Sequence, residues 1–220
     1  GRTVLTMTMT AKKAYAVGMG PFPDGVYRAQ FPYLYRKPEG MTDKEYMDEC
    51  VKSVYDVFEN CSPAEYVAAI VMEPLQGEGG FIPAPIEFVK AVRKICDEKG
   101  ILLIADEVQS GFGRTGKLFA SEYWKENGCA PDIIATAKSI AGGVPLSAVI
   151  ASKEVMDAVP GGTIGGTYGG NALACAAGLE VLKLMDEGGL VKRSQEIGKK
   201  VMAAFNEMKE KYEVVGDVRG

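Results

Sequence analysis

Four short, nearly continuous apolar runs punctuate the chain: VAAIVME (67–73), ILLIAD (101–106), PDIIATA (131–137) and LSAVIAS (146–152). A strand with one wet face alternates apolar and polar residues, so unbroken runs predict strands covered on both faces. Between the first two, IEFVKAVRKICDEKG (86–100) carries apolar residues at helical spacing and closes at Gly100, which predicts a helix with a glycine stop. Apolar strands joined by an amphipathic helix predict an α/β fold with a mostly parallel central sheet. Upstream, Thr42 precedes Asp43, Lys44 and Glu45, and the stripe Tyr46, Met47, Val51, Val54, Tyr55 and Phe58 follows, predicting a capped helix that stops near Asn60. Beyond Asn171 two further helices are predicted, over 171–185 and 191–212. Val4–Thr10 is rich in β-branched residues and predicts a strand, and EVVGDVRG at 213–220 reads as the opening of another. Residues 18–40 form an irregular loop with Pro21, Pro23, Pro32 and Pro38, too aromatic for a linker. No internal repeat and no low-complexity segment is found.

Composition narrows the class. With 220 residues, 47% of them hydrophobic, the chain can build one large α/β domain or two small ones. Its net charge of −4 is spread without blocks of one sign. Neither nucleic acid nor an anionic membrane surface is therefore expected as a partner, and a small-molecule enzyme fits better. Five cysteines, odd in number, scattered and never spaced as CxxC, argue against a disulfide scaffold or a metal site and for a reducing cytoplasm. No apolar run is long enough to span a bilayer, and no export signal is present. The chain opens on GRTVLTMTMT without Met and closes as a strand is expected to begin, so it reads as a central fragment whose site could be completed by residues outside it.

Ligands of open α/β sheets bind beyond the carboxyl ends of the strands. Three motifs fall there: EPLQGEGG after VAAIVM, DEVQSGFGRTG after ILLIA, and the turn AKSIAGG. Lys138 in that turn and Asp106 at the end of ILLIAD suit pyridoxal phosphate, since one amine can hold the cofactor aldehyde as a Schiff base and one carboxylate can keep the pyridine nitrogen protonated. Each residue also has a plainer reading. Lys138 and Glu78 fit solvated loop charges. Asp106, partly buried after five apolar residues, needs a partner, which could equally be a helix N-terminus or Arg114. Thr167 fits a helix-start signal. Tyr27, Phe31, Tyr33 and Tyr35 either line a substrate channel or enter a dimer interface, with the interface favoured.

Taken in order, EPLQGEGG, ADEVQSGFGRTG, PDIIATAKSIAGGVPLSAV and GGTYGGNALACAAGLEVL resemble the class III, fold type I aminotransferases. The loop GMGPFPDGVYRAQFPYLYRKP resembles the 4-aminobutyrate branch of that family, and the opening GRT resembles the tail of its aromatic–His–Gly–Arg motif. The resemblance implies a three-layer large domain over 1–187, lacking its N-terminal part, and the start of a truncated small domain over 188–220. It implies that Lys138 holds the cofactor and shuttles the proton, that Asp106 bonds the pyridine nitrogen, and that Val108 packs on the ring. Gln109 would reach the phenolic oxygen, and Thr167 would bind the phosphate of the partner subunit's cofactor. Glu73 would hold the substrate-side polar network, and Glu78 would pair with a substrate-binding arginine beyond Gly220. The implied activity is transfer of an amino group from an ω-amino acid, 4-aminobutyrate foremost, to 2-oxoglutarate in a homodimer with shared active sites. Two alternatives stand beside it: an amino-acid racemase or epimerase of the same family, and a folded but catalytically incomplete fragment.

Overall fold

The computed structural model describes Gly1 and residues 3–220; Arg2 of the opening GRT lies outside the described residues. In chain order the elements are α1 (Val4–Met9), α2 (Lys13–Ala16), α3 (Asp43–Asn60), β1 (Ala69–Met72), β2 (Leu75–Gln76), β3 (Ile82–Pro83) and α4 (Ile86–Lys99). They continue with β4 (Leu102–Asp106), α5 (Glu122–Glu126), β5 (Ile133–Thr136), β6 (Ala148–Ala151), α6 (Lys153–Asp157), α7 (Ala172–Asp186) and α8 (Leu190–Lys211).

The four apolar runs make one sheet in the order β1-β4-β5-β6. β1 and β4 are parallel, as are β4 and β5, while β6 returns antiparallel to β5. The expected α/β class with a mostly parallel sheet is therefore found. Its faces are unequal. Along β4, Leu103 and Ala105 are fully buried, packing with Val89, Val92 and Cys96 of α4 and Cys50 of α3. Leu102, Ile104 and Asp106 on the other face are only half-buried, and Val71 and Val149 are exposed. The expectation of cover on both faces thus holds for the α3–α4 side. On the other side a smaller cluster of Phe112, Ile140 and Ala141 packs with Ala177, Val181 and Met185 of α7.

Local chemistry sets the helix ends as the pattern predicted. Thr42 and Glu45 cap α3 reciprocally, satisfying two amides that the first turn leaves open. Gly100 ends α4 at φ 68°, and its N–H reaches the Cys96 carbonyl; a left-handed stop favours glycine. Asn171 caps α7 by accepting from the Ala174 amide at 3.1 Å. Between β4 and β5, Asp132 accepts from the Leu103 amide and from Arg93 Nη1, each at 2.7 Å, tying α4 to the sheet.

Three predictions are corrected. Residues 4–9 are helical, with Thr3 and Thr6 forming a capping box. A strand must find hydrogen bonds on a neighbour, and none pairs with this segment among the described residues, whereas a helix closes its own. Residues 213–220 form no strand; Arg219 instead stacks on Tyr33 at 4.9 Å, pairs with Asp217 and donates to the Gly80 carbonyl at 2.9 Å. The aromatic loop also divides: Phe31 packs edge-on to Phe88 in the core at 6.2 Å, while Tyr27 and Tyr35 stay exposed. The short α5, α6 and the β2–β3 hairpin lie below the length at which periodicity is readable.

Candidate active site

The carboxyl ends of β1, β4 and β5 open onto one edge of the sheet, and each delivers a charged residue within two positions of its end: Glu73, Asp106 and Lys138. Parallel register does this, since Asp106 stands beside Ala135 and Met72 beside Ala105. Lys138 begins a 3-10 turn ending at Ala141, with Gly142 left-handed behind it. Its own φ is 46°. A lysine pays in strain for that region, which recurs where a site holds a side chain in one place.

The Lys138 amine donates to Gln109 Oε1 at 2.9 Å. The Gln109 amide in turn lies across Gly77, where a Cβ would come within 2.7 Å of Gln109 Cδ. A side chain at 77 would have to push the Gln109 amide aside. The Gly77 N–H donates to Glu73 Oε1 at 3.1 Å, so Glu73, Gly77, Gln109 and Lys138 form one connected chain across the strand ends. Burial pushes the Glu73 carboxyl above its ordinary value, with the Asp106 and Glu78 charges adding to the rise and the Gly77 N–H and Lys138 opposing it.

Asp106 Oδ1 accepts from the Val108 amide at 3.0 Å, and no hydrogen bond to its second oxygen is found among the described residues. The two plainer readings of Asp106 do not hold, because it caps no helix and Arg114 reaches Ser139 Oγ at 3.4 Å instead. Alternation does not extend to Val108: β4 ends at Asp106, and residues 108–110 already form a turn. Glu78 sits in the exposed loop between β2 and β3, paired with Lys12. Thr167 lies in an exposed turn ahead of α7, and the cap it could have supplied comes from Asn171. Lys138, Gln109, Asp106 and Glu73 are thus brought together; Thr167 is not joined to them.

Glu107, absent from the sequence reading, is fully buried. Its carboxylate accepts from Ser110 Oγ at 2.6 Å, from the Ala120 amide at 3.1 Å and from the Ser121 amide at 2.5 Å. Strand parity puts it opposite Asp106, but the unbroken apolar run before it does not say which face is the more buried, so no signal in the sequence singles it out.

The family model described as Aminotransferase class-III matches residues 1–220. The chain belongs to the class-III aminotransferases. This aminotransferase chain is 48% identical over 220 residues to the probable 4-aminobutyrate aminotransferase of Bacillus subtilis (strain 168), covering 100% of itself and 50% of that protein. It is 47% identical over 221 residues to the 5-aminovalerate aminotransferase DavT of Pseudomonas putida (strain KT2440), again covering 100% of itself and 50% of that protein. Among solved structures, an amine transaminase from an uncultivated Pseudomonas species, described as PLP-bound, superposes with a TM-score of 0.88 at 33% identity over 100% of this chain and 51% of that one. The chain thus spans about half the length of these relatives.

Proposed function

We propose that the intact protein transfers the amino group of an ω-amino acid, 4-aminobutyrate foremost, to 2-oxoglutarate, with pyridoxal 5'-phosphate as its cofactor. The carrying observation is the Lys138 amine, held in a left-handed turn 2.9 Å from Gln109 Oε1 at the sheet edge where Asp106 ends β4. Relatives named for 4-aminobutyrate and 5-aminovalerate support the ω-amino class of donor.

The residues present fit the group. The donor set holds one amine for its aldehyde, one carboxylate with an oxygen left over for its ring nitrogen, and an amide that can face its phenolic oxygen. When bound, the cofactor supplies an electron sink for a substrate carbanion. Lys138 would hold the cofactor through its amine, and the same Nζ would be the group placed to take up and return a proton at the substrate. Asp106 would bond the ring nitrogen through the carboxylate oxygen that the Val108 amide does not use. Gln109 would face the phenolic oxygen, and Val108 would pack against the ring. Glu73 and Glu78 would order the substrate side, Glu78 from a loop where Lys12 pairs with it. Thr167 would serve the cofactor phosphate of the partner subunit in a homodimer. We further propose a reducing cytoplasm as its location; of the five cysteines, Cys50, Cys96 and Cys129 are buried. Among the described residues no helix is long and apolar enough to cross a membrane.

Incubation of the intact protein with 4-aminobutyrate and 2-oxoglutarate should form glutamate, and Lys138→Ala should remove both turnover and the visible absorption of the bound cofactor. Glutamate formation at the parental rate by the substituted protein would end the assignment. Inversion of a chiral amino acid without glutamate would turn it to the racemase reading.

A further inference from the structure

Glu107 stands next to Asp106 in sequence but on the other side of the sheet. Its amide donates to the Ala135 carbonyl at 2.9 Å, continuing the β4–β5 ladder by one residue. Parity then turns Asp106 toward the site and Glu107 into the protein, where it is 0% exposed. No ion pair to Glu107 is found among the described residues. Its carboxylate is answered by a hydroxyl and two backbone amides, at 2.6, 3.1 and 2.5 Å. A buried charge is a poor way to gain stability, because well-packed apolar groups of the same volume do as well. What it provides is geometry, because it fastens two separate turns to one point.

The first turn is 107–111, closed by the Gly111 amide on the Glu107 carbonyl at 3.1 Å, and it carries Gln109 toward Lys138. The second is 119–122, which brings Phe119 edge-on to Phe112 at 5.7 Å. Phe112 has a φ of 59° and packs with Ile140 and Ala141 in the turn that Lys138 begins. Two routes, one polar through Gln109 and one apolar through Phe112, therefore run from Glu107 to Lys138.

We propose that Glu107 is a positioning residue that fixes the Gln109–Lys138 contact from behind the sheet, an inference that rests on the cofactor-binding reading above. The test uses the intact protein with Glu107→Gln, which keeps shape but loses an acceptor, and with Ser110→Ala, which removes one donor and keeps the carboxylate. Three quantities are measured: amide hydrogen exchange over 108–110 and 120–121 without cofactor, affinity for pyridoxal phosphate, and the pH midpoint of the bound cofactor's visible absorption. Glu107→Gln should speed exchange in both segments about tenfold, as expected for losing one charge-assisted hydrogen bond. Affinity should fall by about the same factor, and the absorption midpoint should move by about half a unit. Ser110→Ala should shift all three in the same direction by less. If Glu107→Gln does not fold, Ser110→Ala carries the test alone. Faster exchange at 120–121 with parental affinity and midpoint would make Glu107 a structural cap only and overturn the proposal. So would unchanged exchange over 108–110, even if the parent formed no cofactor band, an outcome that would separately end the functional reading.

Discussion

At Lys138 the backbone sits at φ 46°, a conformation a lysine adopts only when its surroundings insist. The strain has a visible return, since it aims the amine at Gln109 beside a carboxylate that keeps one oxygen available. Asp106→Asn keeps the shape and the acceptor for the Val108 amide but removes the charge. It should leave cofactor bound and lower turnover on the order of 10²-fold, the weight of one aligned electrostatic group; rates within a few-fold of the parent in steady-state assays would contradict the role. Glu73 allows a pH test. Burial raises its pKa above 4.5, its value in an unfolded chain. A raised carboxyl favours the fold below the unfolded pKa, and that advantage is lost as pH rises through the folded pKa. At pH 7 the ionised Glu73 therefore weakens the fold, and Glu73→Gln, which keeps an acceptor for Gly77, should raise the melting temperature there. The gain should vanish in melts at pH 4 and below; a loss of stability at pH 7 would show that its attraction to Lys138 outweighs desolvation.

Among the elements, β4 does most to assemble the site. Its alternation puts Leu103 and Ala105 into the α4 side and Asp106 at the opposite face, and its start is held by Asp132, which receives both the Leu103 amide and Arg93. Arg93 is 12% exposed and also pairs with Asp97 at 2.8 Å. Asp132→Ala would leave a backbone donor unmet and half-strand a buried guanidinium. It should cost roughly 2 kcal/mol in denaturant unfolding, with no change in the absorption midpoint of the bound cofactor. The helix predictions followed from features that are local by nature, such as the Thr42–Glu45 box and the left-handed Gly100. Strand ends were less legible. Ile101 and Val67 share the apolar character of their runs but lie outside β4 and β1, because pairing with a neighbour, and not side-chain type, sets where a ladder stops.

For the whole molecule, the unequal sheet faces and the apolar surface around α7 point outward. Ile164 is 81% exposed, Tyr168 87%, Leu173 72% and Leu179 67%, and Thr167 lies among the first three in sequence. Exposed apolar groups in this density mark a surface that further chain or a second subunit can cover, and this chain spans about half the length of its relatives. The proposed homodimer would cover it and bring Thr167 to a neighbouring site. Light scattering of the intact protein at micromolar concentration should give twice the subunit mass, and Thr167→Ala should weaken cofactor binding without lowering that mass. A monomer, or parental affinity in the substituted dimer, would remove this part of the reading.

The order of apolar runs, the caps at Thr42 and Gly100 and the placing of Lys138 and Asp106 at strand ends were legible in the sequence, because periodicity and capping chemistry act over a few neighbouring positions. Tertiary structure alone decided the rest. It placed Gln109 over Gly77 and against Lys138, chose the strand end as the place where Asp106 is held by Val108 rather than by Arg114, and made residues 4–9 helical where their composition favoured a strand. It also buried Glu107 among three donors drawn from two turns. The Gln109–Lys138 contact and the burial of Glu107 join groups far apart in the chain, which register and packing fix once the sheet has formed, and residues 4–9 turn helical because, among the described residues, no strand lies beside them.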